Sequence, residues 1–430
     1  MTDTAKSNPF KKIVKALTLV EPHELRATIL SFLFVFTLFS AYFIIRPARD
    51  AMASEWTRAD TSWLWTLTFF VSIVAVSLYG FIISRVRFSR VVPGAYIVFA
   101  TSFIAFYFGS QYVENSMTID KSFYVWLSVF SLFHVSIFWS FMSGTFSKEQ
   151  APRLFAIIAT GASVGSIVGS AIAGFLTEEI GALNLMLIAA GLLLVTLPII
   201  SRLKTLKTTE LGNKDLTADL SAAKRLGKNP FAGFFIFIKN PYLVAIGIFI
   251  LMYVAMSTFV YMELREMLAV YERAERTEIL GRIDFWVNIL VVAIALFGTG
   301  RIATRFGMAT TLSLIPFLMI GGWLVVAAVP LLAVLYGLQI FRKAGNYAVT
   351  KPGREMLFTV VDDETRYKAK PVIDVVVYRG GDMATAWLHT MLKDVFAFGL
   401  GGVAIVAAVI AGIWAISGIY LGRRYNEAKE

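Results

Sequence analysis

The chain has 430 residues, of which 57% are hydrophobic and only 16% are charged, whereas a soluble domain carries about 25% charged residues. It contains no cysteine and three scattered histidines, which excludes disulfides, thiolate chemistry and a histidine metal cluster. Apolar runs of about 20 residues, the span of a bilayer core, recur along nearly the whole length. Most of these runs are apolar on every face, unlike the amphipathic helices of a soluble core. The sequence therefore predicts an all-α, polytopic membrane protein.

About twelve apolar segments are long enough to form membrane helices. The longest polar gap, from Leu203 to Asn240, predicts a linker between two six-helix halves. The predicted helices are 27–50, 62–84, 91–112, 122–146, 154–177, 181–202, 242–262, 281–304, 308–329, 331–358, 370–392 and 396–421. The predicted regions are an N-terminal tail (1–26), an N-terminal half (27–203), a linker (204–240), a C-terminal half (241–421) and a C-terminal tail (422–430).

The stretch NPFAGFFIFIKNP, residues 229–241, ends the linker. Its apolar run between two Asn-Pro pairs fits a short interfacial helix on the membrane surface. It fits an early start of the seventh helix equally well, and the sequence does not separate these two interpretations.

The distribution of Lys and Arg predicts the orientation in the membrane. With the N-terminus in the cytoplasm, 26 of the 40 basic residues fall in cytoplasmic segments and 7 fall in outer segments. Cytoplasmic loops carry such an excess of Lys and Arg, so we expect both termini to be cytoplasmic and the protein to lie in a bacterial inner membrane. Most of the net charge of +11 is then explained by topology, and we expect no nucleic-acid partner.

Seven basic residues remain inside the predicted spans. A charge at the bilayer centre costs about 2.5–3.5 kcal/mol on insertion scales, so such residues must face a water-filled cavity or a partner. They are therefore candidate functional residues. The basic ones are Arg46, Arg49, Arg342, Lys343, Lys351, Arg354 and Arg379, and the acids among them are Asp50, Glu355, Asp374 and Asp382.

The first predicted helix ends in the stretch IIRPARDAM, residues 44–52. Arg46, Arg49 and Asp50 stand at i, i+3 and i+4, so they share one face of the helix. Pro47 can open the helix locally and free carbonyl groups toward a cavity. We expect the two arginines to bind an anion while Asp50 sets geometry or gates. The alternative is a solvated structural cluster at the outer end of the helix.

The tenth predicted helix carries a surplus of cations. Arg342, Lys343, Lys351 and Arg354 lie in one span, and Glu355 is the acid among them. A 3.6-residue stripe joins Lys343, Asn346 or Tyr347, Thr350 and Arg354. A substrate with several negative charges is the natural counter-charge, because Arg binds phosphate oxygens with two parallel hydrogen bonds and Lys binds them as a point charge. Tyr347 would stack on a base or simply pack, and Lys351 alternatively snorkels to the cytoplasmic surface.

The eleventh predicted helix places Asp374, Tyr378, Asp382 and His389 on one stripe, with Arg379 nearby. The acids fit either of two roles, as charge partners for the tenth helix or as a proton relay. Pairing that offsets the cost of burial is the favoured role, and His389 is expected to pack or to be solvated.

The segment GASVGSIVGSAIAG, residues 161–174, repeats glycine at every fourth position. Such a stripe lets another membrane helix approach closely. It lacks the Lys-Ser/Thr pair of a phosphate-binding P-loop and lies inside a span. We therefore expect helix packing here.

Positions about 215 residues apart show a weak internal repeat. Arg49-Asp50 falls on Arg265-Glu266, the stretch 149–153 falls on 364–368, and Gly165 falls on Gly380. Twelve helices in two parallel halves are similar to the plan of the major facilitator fold, whose substrate site lies near the bilayer midplane. The repeat therefore favours that fold.

At these residues the sequence resembles the ATP/ADP antiporters of plastids and intracellular bacteria, together with their shorter bacterial relatives. The family runs D-P-C-K-E-M and D-E-D-T-K-x-K-G-K-x-x-I-D-V-V resemble KPGREM (351–356) and DDETRYKAKPVIDVV (362–376). The family run R-D-T-K-D resembles RPARD (46–50), which places Arg49 where the family has a Lys implicated in transport. The family run D-Q-A-K-R-F...G-A-N-V resembles EQAPRLF...GASV (149–164).

This chain departs from the family pattern at two places. Gly381-Asp382 stands where the family often has Gly-Lys, so the charge is reversed, although Arg379 is close in sequence. The glutamate of the seventh family helix aligns nearer Tyr261, and Glu263 stands two residues further on.

The resemblance implies a transporter of nucleotides, by ATP/ADP-type exchange, or of a related phosphorylated anion, working by alternating access. No enzyme signature is present, and no cofactor is expected. The expected partners are a small anionic substrate and the lipid bilayer, and a monomer is compatible with the sequence. The predicted substrate-binding residues are Arg46, Arg49, Lys343, Asn346, Tyr347, Lys351 and Arg354, and the predicted coupling or gating residues are Asp50, Glu263, Glu355, Asp374, Arg379 and Asp382.

Two further functions remain open from the sequence. One is a proton-coupled symporter of a smaller organic anion, in which Asp374 and Asp382 carry the proton. The other is a membrane protein that keeps the scaffold without transporting.

Overall fold

A computed structural model describes residues 20–85, 88–113, 116–147, 149–213, 232–297, 299–361, 369 and 372–429. Within these ranges the regular elements are helices. Nine described helices are long and apolar enough to cross a membrane. The predicted all-α class therefore holds for the described part of the chain.

The long helices keep the predicted order, with shifted ends. The helices of the first part are α1 (Leu25–Ala53), α2 (Arg58–Arg85), α3 (Phe88–Tyr112), α4 (Ser116–Ser143), α5 (Ala151–Phe175) and α6 (Asn184–Thr209). Those of the second part are α7 (Pro241–Leu268), α8 (Arg273–Phe297), α9 (Thr299–Ala328), α10 (Leu332–Gly345 with its continuation to Val360), α11 (Val372–Asp394) and α12 (Leu400–Lys429). The start of α9 shifts furthest, from the expected 308 to Thr299, and the start of α8 shifts from the expected 281 to Arg273. The first turns of α8 are polar, so hydropathy alone places its start too late.

Helix α10 is not a uniform α-helix. It runs as an α-helix over Leu332–Gly345, as a π-helix over Asn346–Thr350, as an α-helix over Lys351–Met356 and as a 3₁₀ turn over Leu357–Val360. Pro352 follows the π segment. Its ring would clash with the carbonyl of residue 348 in a regular α-helix, and a wider π turn relieves that clash.

Burial separates the two alternatives in the expected stripe of α10. Asn346 is 6% exposed and Thr350 is 2% exposed, whereas Tyr347 is 41% exposed. Asn346 and Thr350 therefore share the buried face of Arg342, and Tyr347 lies on another face. Of the two alternatives at that point of the stripe, Asn346 is the buried one.

Contacts divide the chain into two compact units. The first unit comprises 1–48 and 77–220, and the second unit comprises 49–76 and 221–430. The second unit thus includes the end of α1 and most of α2.

In the first unit, the glycine stripe of α5 packs against α1, as expected. A Cβ built on Gly161 would lie 2.5 Å from the carbonyl oxygen of Phe32, and one built on Gly169 would lie 2.6 Å from that of Ser40. A Cβ on Gly165 would overlap the carbonyl oxygen of Phe36. The hydroxyl of Ser40 also donates to the carbonyl oxygen of Gly165, at 3.2 Å. The stripe therefore brings the two backbones together.

We expect Gly165→Ala to lower the melting temperature, because its methyl group would force α1 and α5 apart. Overpacking of this kind costs about 1–3 kcal/mol. Thermal unfolding in detergent measures the effect. Gly191→Ala in α6 is the matched control, because a Cβ there meets nothing within 4 Å. Equal melting temperatures for the two variants would contradict the close approach.

The stretch EQAPR begins α5 with an ionic and polar cluster inside the first unit. Arg153 Nη2 donates to Glu24 Oε1 at 2.8 Å, and Glu24 is 1% exposed. The side chain of Gln150 accepts from Asn213 Nδ2 at 2.8 Å. Burial raises the pKa of Glu24, but the hydrogen bond and the charge of Arg153 outweigh burial, so this pKa lies below its ordinary value. This part of the motif ties α5 to the start of α1.

In the second unit, a large apolar core is formed by α7, α9, α10 and α12. Trp323 and Trp414 are fully buried in it, and the ring of Phe249 packs against Trp414 at a centroid distance of 5.8 Å. This core surrounds the buried face of α10.

The stretch before α7 forms a separate short helix, Ala232–Lys239. Asn240 is extended (φ −101°, ψ 107°), and its side chain accepts from the backbone N–H groups of Tyr242 and Leu243, so it caps the start of α7. An early start of the seventh helix is therefore wrong, and the segment forms a short helix of its own.

Candidate functional site

Lys343 is paired across helices of the second unit. Its Nζ donates to Asp284 Oδ1 of α8 at 2.7 Å, and the two side chains are 11% and 4% exposed. Asp284 is missing from the intramembrane acids recognised in the sequence. Asp284 lies close to the predicted start of the eighth helix at residue 281, where a charge needs no explanation.

Arg342, one position earlier, is only 2% exposed. Its Nε and Nη2 donate to Gln339 Oε1 at 3.2 and 2.8 Å. Its guanidinium carbon lies 5.9 Å from the ring centre of Tyr253, and Asn346 Nδ2 donates to the hydroxyl of Tyr253 at 3.1 Å. The most deeply buried cation of α10 therefore lies beside neutral side chains.

Tyr347, Lys351 and Arg354 lie further along α10. Lys351 Nζ lies 5.8 Å from the ring centre of Tyr347, a cation–π distance. Arg354 Nη2 donates to Glu355 Oε1 at 2.9 Å, and the two side chains are 11% and 37% exposed. Because Lys351 is exposed and Tyr347 is 41% exposed, this end of α10 presents an aromatic ring with one exposed cation over it.

Arg49, near the end of α1, is paired with the acid that follows it in sequence, as Arg354 is with Glu355. Arg49 donates to Asp50 Oδ1 from Nε at 2.9 Å and from Nη2 at 2.5 Å, and both side chains are largely buried. Arg46 lies in the first unit, with its guanidinium carbon 5.7 Å from the ring centre of Phe43 and 5.9 Å from that of Tyr42. Arg49 and Arg354 are thus each held by the acid that follows them in sequence.

Asp382 is the one of the two candidate acids of α11, Asp374 and Asp382, whose side chain is described. Asp382 pairs with Arg379 of the same helix, Nη1 to Oδ2 at 3.6 Å. Among described residues, this replaces the expected pairing of Asp382 with α10. The side chain of Asp374 lies outside the described ones, as do residues 362–368 of the DDETRYKAK run.

Glu263 of α7 lies in a buried ionic cluster with two residues of α11. Its Oε1 lies 2.9 Å from His389 Nε2, and its Oε2 lies 3.1 Å from Lys393 Nζ. Glu263 is 2% exposed, His389 is fully buried, and the Lys393 side chain is 9% exposed. His389 was expected either to pack or to be solvated, and it packs. Its partner, Glu263, is one of the predicted coupling or gating residues.

This cluster continues to the start of α2 inside the second unit. Lys393 Nζ lies 3.3 Å from Glu266 Oε2. Arg58 donates to both carboxylate oxygens of Glu266 at 2.6 and 3.0 Å, and to Asp394 Oδ1 at 2.6 Å. The predicted helix bounds place Arg58 and Lys393 in outer segments, where a charge needs no partner. Arg58 and Lys393 are far in sequence from the acids that they bind. No local sequence pattern therefore predicts these ion pairs.

Two arginines bind the end of α1. Arg276 Nη1 donates to the carbonyl oxygen of Ala51 at 3.1 Å, and Arg265 Nη1 donates to that of Ala53 at 3.0 Å. Arg265 Nη1 also donates to the hydroxyl of Thr61. Cations are stabilising at a helix C-terminus, so these contacts fix the α1 end to α7 and α8. In the sequence, the internal repeat that aligns Arg265-Glu266 with Arg49-Asp50 is the feature that marks Arg265 as a candidate.

Glu55 connects the turn between α1 and α2 to the start of α8. Its carboxylate accepts from Arg273 Nη2 at 2.6 Å and from Arg276 Nη2 at 3.1 Å. Burial raises the pKa of Glu55, but the hydrogen bonds and charges of these arginines outweigh it, so the pKa lies below the ordinary 4.5.

We expect stability to depend on pH through Glu55. Because the pKa is lower in the folded than in the unfolded state, the stabilisation is complete above about pH 4.5 and is lost as pH falls through the folded value. Glu55→Gln should flatten the fall of melting temperature below pH 4.5, by a small amount because the side chain is 34% exposed. Glu427→Gln, on a carboxylate that is 63% exposed, is the control. Equal slopes for wild type and Glu55→Gln would contradict the prediction.

A family model described as Major Facilitator Superfamily matches residues 29–354. ADP,ATP carrier protein 1 of Chlamydia pneumoniae is 20% identical over 500 aligned positions, covering 99% of this chain and 96% of that protein. ADP,ATP carrier protein 2 of Chlamydia trachomatis serovar D is 22% identical over 343 positions, covering 69% of this chain and 63% of that protein.

Solved transporter structures share the fold. The crystal structure of the nucleoside transporter NupG matches with a TM-score of 0.60 at 14% identity, covering 93% of this chain and 99% of that one. A bacterial homolog of the human lysosomal transporter Spinster, in an inward-facing and unoccupied conformation, matches with a TM-score of 0.58 at 12% identity, covering 95% and 99%. At these identities the likeness concerns the fold alone.

Proposed function

Because the chain belongs to the Major Facilitator Superfamily, we propose that it is a membrane transporter that exchanges nucleotides of the ATP/ADP type, or a related phosphorylated anion, by alternating access. The family membership also confirms the major facilitator-like fold predicted from the sequence. We place the protein in a bacterial inner membrane with both termini in the cytoplasm, on the distribution of its Lys and Arg residues.

One observation carries the proposed substrate. The chain aligns over 99% of its length with a protein named as an ADP,ATP carrier, and it has an excess of cations on α10. Four basic residues of α10 stand against Glu355 in the same helix and Asp284 in α8. A polyphosphate supplies negative charge to such a cluster, and Arg and Lys are the side chains that bind it.

In this proposal a cluster of cations neutralises the phosphates, while Asn346 and Tyr347 contact the rest of the nucleotide. The proposed cations are Arg46, Arg49, Lys343, Lys351 and Arg354. Tyr347 supports base stacking because its ring is 41% exposed and has Lys351 over it. Coupling and gating are assigned to Asp50, Glu263, Glu355, Asp374, Arg379 and Asp382.

The two neighbouring pairs suggest how the empty carrier avoids unpaired charge. Arg49 is neutralised by Asp50 and Arg354 by Glu355. An incoming phosphate competes with these carboxylates for the same guanidinium groups, so binding and loss of the pairs are linked. A carrier whose charges rearrange in this way is suited to exchange, in which occupied and empty states differ in mobility.

The ionic cluster around Glu263 supports a gate. It holds the start of α2 to α7 and α11 through Arg58, Glu266 and Lys393. A transporter that opens at this end has to break these ion pairs. The charged side chains would then be hydrated by water instead.

Thermal unfolding in detergent against ATP, ADP, inorganic phosphate and small organic anions tests the substrate. Ligand stabilisation follows RT ln(1 + [L]/Kd), so a saturable rise in melting temperature with ATP or ADP is expected. In proteoliposomes, uptake of labelled ADP should depend on nucleotide inside the vesicle. Stabilisation by a smaller anion alone would overturn the nucleotide proposal, and uptake independent of internal nucleotide would overturn exchange.

A proton-coupled symporter is the second candidate, favoured by the buried Glu263–His389 pair. A carboxylate and an imidazole in direct contact can share and pass a proton. In that case an uncoupler should abolish uptake, whereas exchange driven by the internal nucleotide should survive it.

A further inference from the structure

Arg342 is a buried cation whose contacts are incomplete. Its side chain is 2% exposed, and its Nε and Nη2 share one acceptor, Gln339 Oε1. Among the described residues, Nη1 has no hydrogen-bond partner. An arginine does not escape burial by losing its proton, because it stays charged in proteins.

The adjacent Lys343 shows what a satisfied cation looks like in the same helix. Its Nζ lies 2.7 Å from a carboxylate oxygen of Asp284, so its charge is cancelled. The acceptor beside Arg342 is a neutral amide. A buried charge is stabilised when it is paired with an opposite charge and fully hydrogen-bonded, so within the described part of the chain the surroundings of Arg342 fall short by one anion.

The groups around Arg342 form a polar patch within an apolar core. Asn346 Nδ2 donates to the hydroxyl of Tyr253, which leaves that O–H free to donate elsewhere. The hydroxyl of Thr350, on the same face of α10, is buried and has no hydrogen-bond partner among the described residues. The face that holds these groups passes through the π segment Asn346–Thr350, and π-helical turns often occur at functional sites.

We propose that Arg342 binds a phosphoryl group of the substrate through Nη1, with Tyr253 and Thr350 as hydroxyl donors. This proposal deepens the proposed function and rests on it. It adds Arg342 to the substrate-binding residues, whereas the sequence assigned Lys343 from this turn and omitted Arg342. Lys343 is then held by Asp284, and Arg342 is the cation of this turn that needs the anion. The guanidinium is closed off in this structure, so the phosphoryl group binds when the helices around the π segment move apart.

The test compares ligands that differ only in phosphate. Melting temperatures with ADP, AMP, adenosine and inorganic phosphate are titrated for wild type, Arg342→Gln and Arg342→Lys. Charge-assisted hydrogen bonds are the strong ones, so Arg342→Gln should raise the apparent Kd for ADP about 10- to 100-fold. The response to adenosine should not change. Arg424→Gln removes an exposed arginine at the C-terminal end of α12 and is the control for loss of one charge.

The outcomes separate this proposal from the proposed function. If Arg342→Gln weakens ADP and adenosine equally, or leaves ADP binding unchanged, the Arg342 proposal is overturned while nucleotide binding stands. If wild type responds to inorganic phosphate but to no nucleotide, and Arg342→Gln loses that response, the anion site stands and the nucleotide function falls. If Arg342→Gln does not fold, Arg342→Lys decides, since it keeps the charge but loses the planar fork and should weaken ADP selectively.

Discussion

We expect Arg354→Ala and Glu355→Gln to change ADP binding in opposite directions. Arg354→Ala removes a charge-assisted hydrogen bond of about 1.5–3 kcal/mol, which corresponds to a loss of about 10- to 100-fold in ADP affinity. Glu355→Gln removes the carboxylate that accepts a hydrogen bond from Arg354 Nη2 at 2.9 Å. Since that carboxylate competes with phosphate, its removal should tighten ADP binding by a few-fold. Ligand-dependent melting temperatures measure both effects.

Exchange in proteoliposomes completes this test. Glu355→Gln should slow exchange although it binds ADP more tightly, because Arg354 is then left unpaired whenever the carrier is empty. Arg424→Ala, on an exposed arginine that also pairs with a glutamate, is the matched control and should behave as wild type. If both Arg354→Ala and Glu355→Gln weaken ADP binding, the competition between carboxylate and phosphate is wrong.

Hydropathy was sufficient to predict most of the helices. Segments that are apolar on every face, such as α7 and α12, were recognised within a few residues at their starts because a membrane helix needs a continuous apolar run. The method failed where charges enter a helix. The start of α8 is polar because Arg273, Arg276 and Asp284 bind other helices, and hydropathy reads such turns as loop.

The surplus of cations on α10 could be predicted, but their separate states could not. Arg342 and Lys343 are neighbours of similar charge, and only the three-dimensional structure places Asp284 beside the second and Gln339 beside the first. The face of α10 on which each residue lies could not be predicted from a 3.6-residue period, because the period changes in the π segment. Pro352 is the residue in the sequence that signals this change.

The partners of the acids Asp50 and Glu355 could not be predicted from the sequence either. The sequence predicts Asp50 and Glu355 as coupling or gating residues and does not name their partners. Local geometry favours the arginine, because the guanidinium of Arg49 or Arg354 reaches the next carboxylate without any rearrangement of the backbone. Long-range partners such as Glu263 and Lys393 depend on the packing of α7 against α11, which no local pattern encodes.

We expect Glu263→Ala to be the most destabilising single substitution in the described ionic clusters. Glu263 is 2% exposed and is the acid that contacts both His389 and Lys393. Removing one partner of a buried ion pair leaves an uncompensated charge and costs about 3–5 kcal/mol. Thermal or denaturant unfolding in detergent should show this loss. Asp394→Ala, which removes a 42% exposed partner of Arg58, should cost no more than about 1 kcal/mol.

A double-mutant cycle shows whether the loss arises from the pair itself. If the cost comes from the Lys393 ammonium losing Glu263 and keeping Glu266 alone as its carboxylate partner, Lys393→Met in the Glu263→Ala background should restore part of the stability. A coupling free energy of about 0.5–3 kcal/mol is expected between residues in direct contact. Additive effects of the two substitutions would instead mean that each side chain acts alone. Because the same cluster is proposed to gate, the double variant should also exchange substrate faster from the side that the cluster closes, since the contact that has to break is already absent.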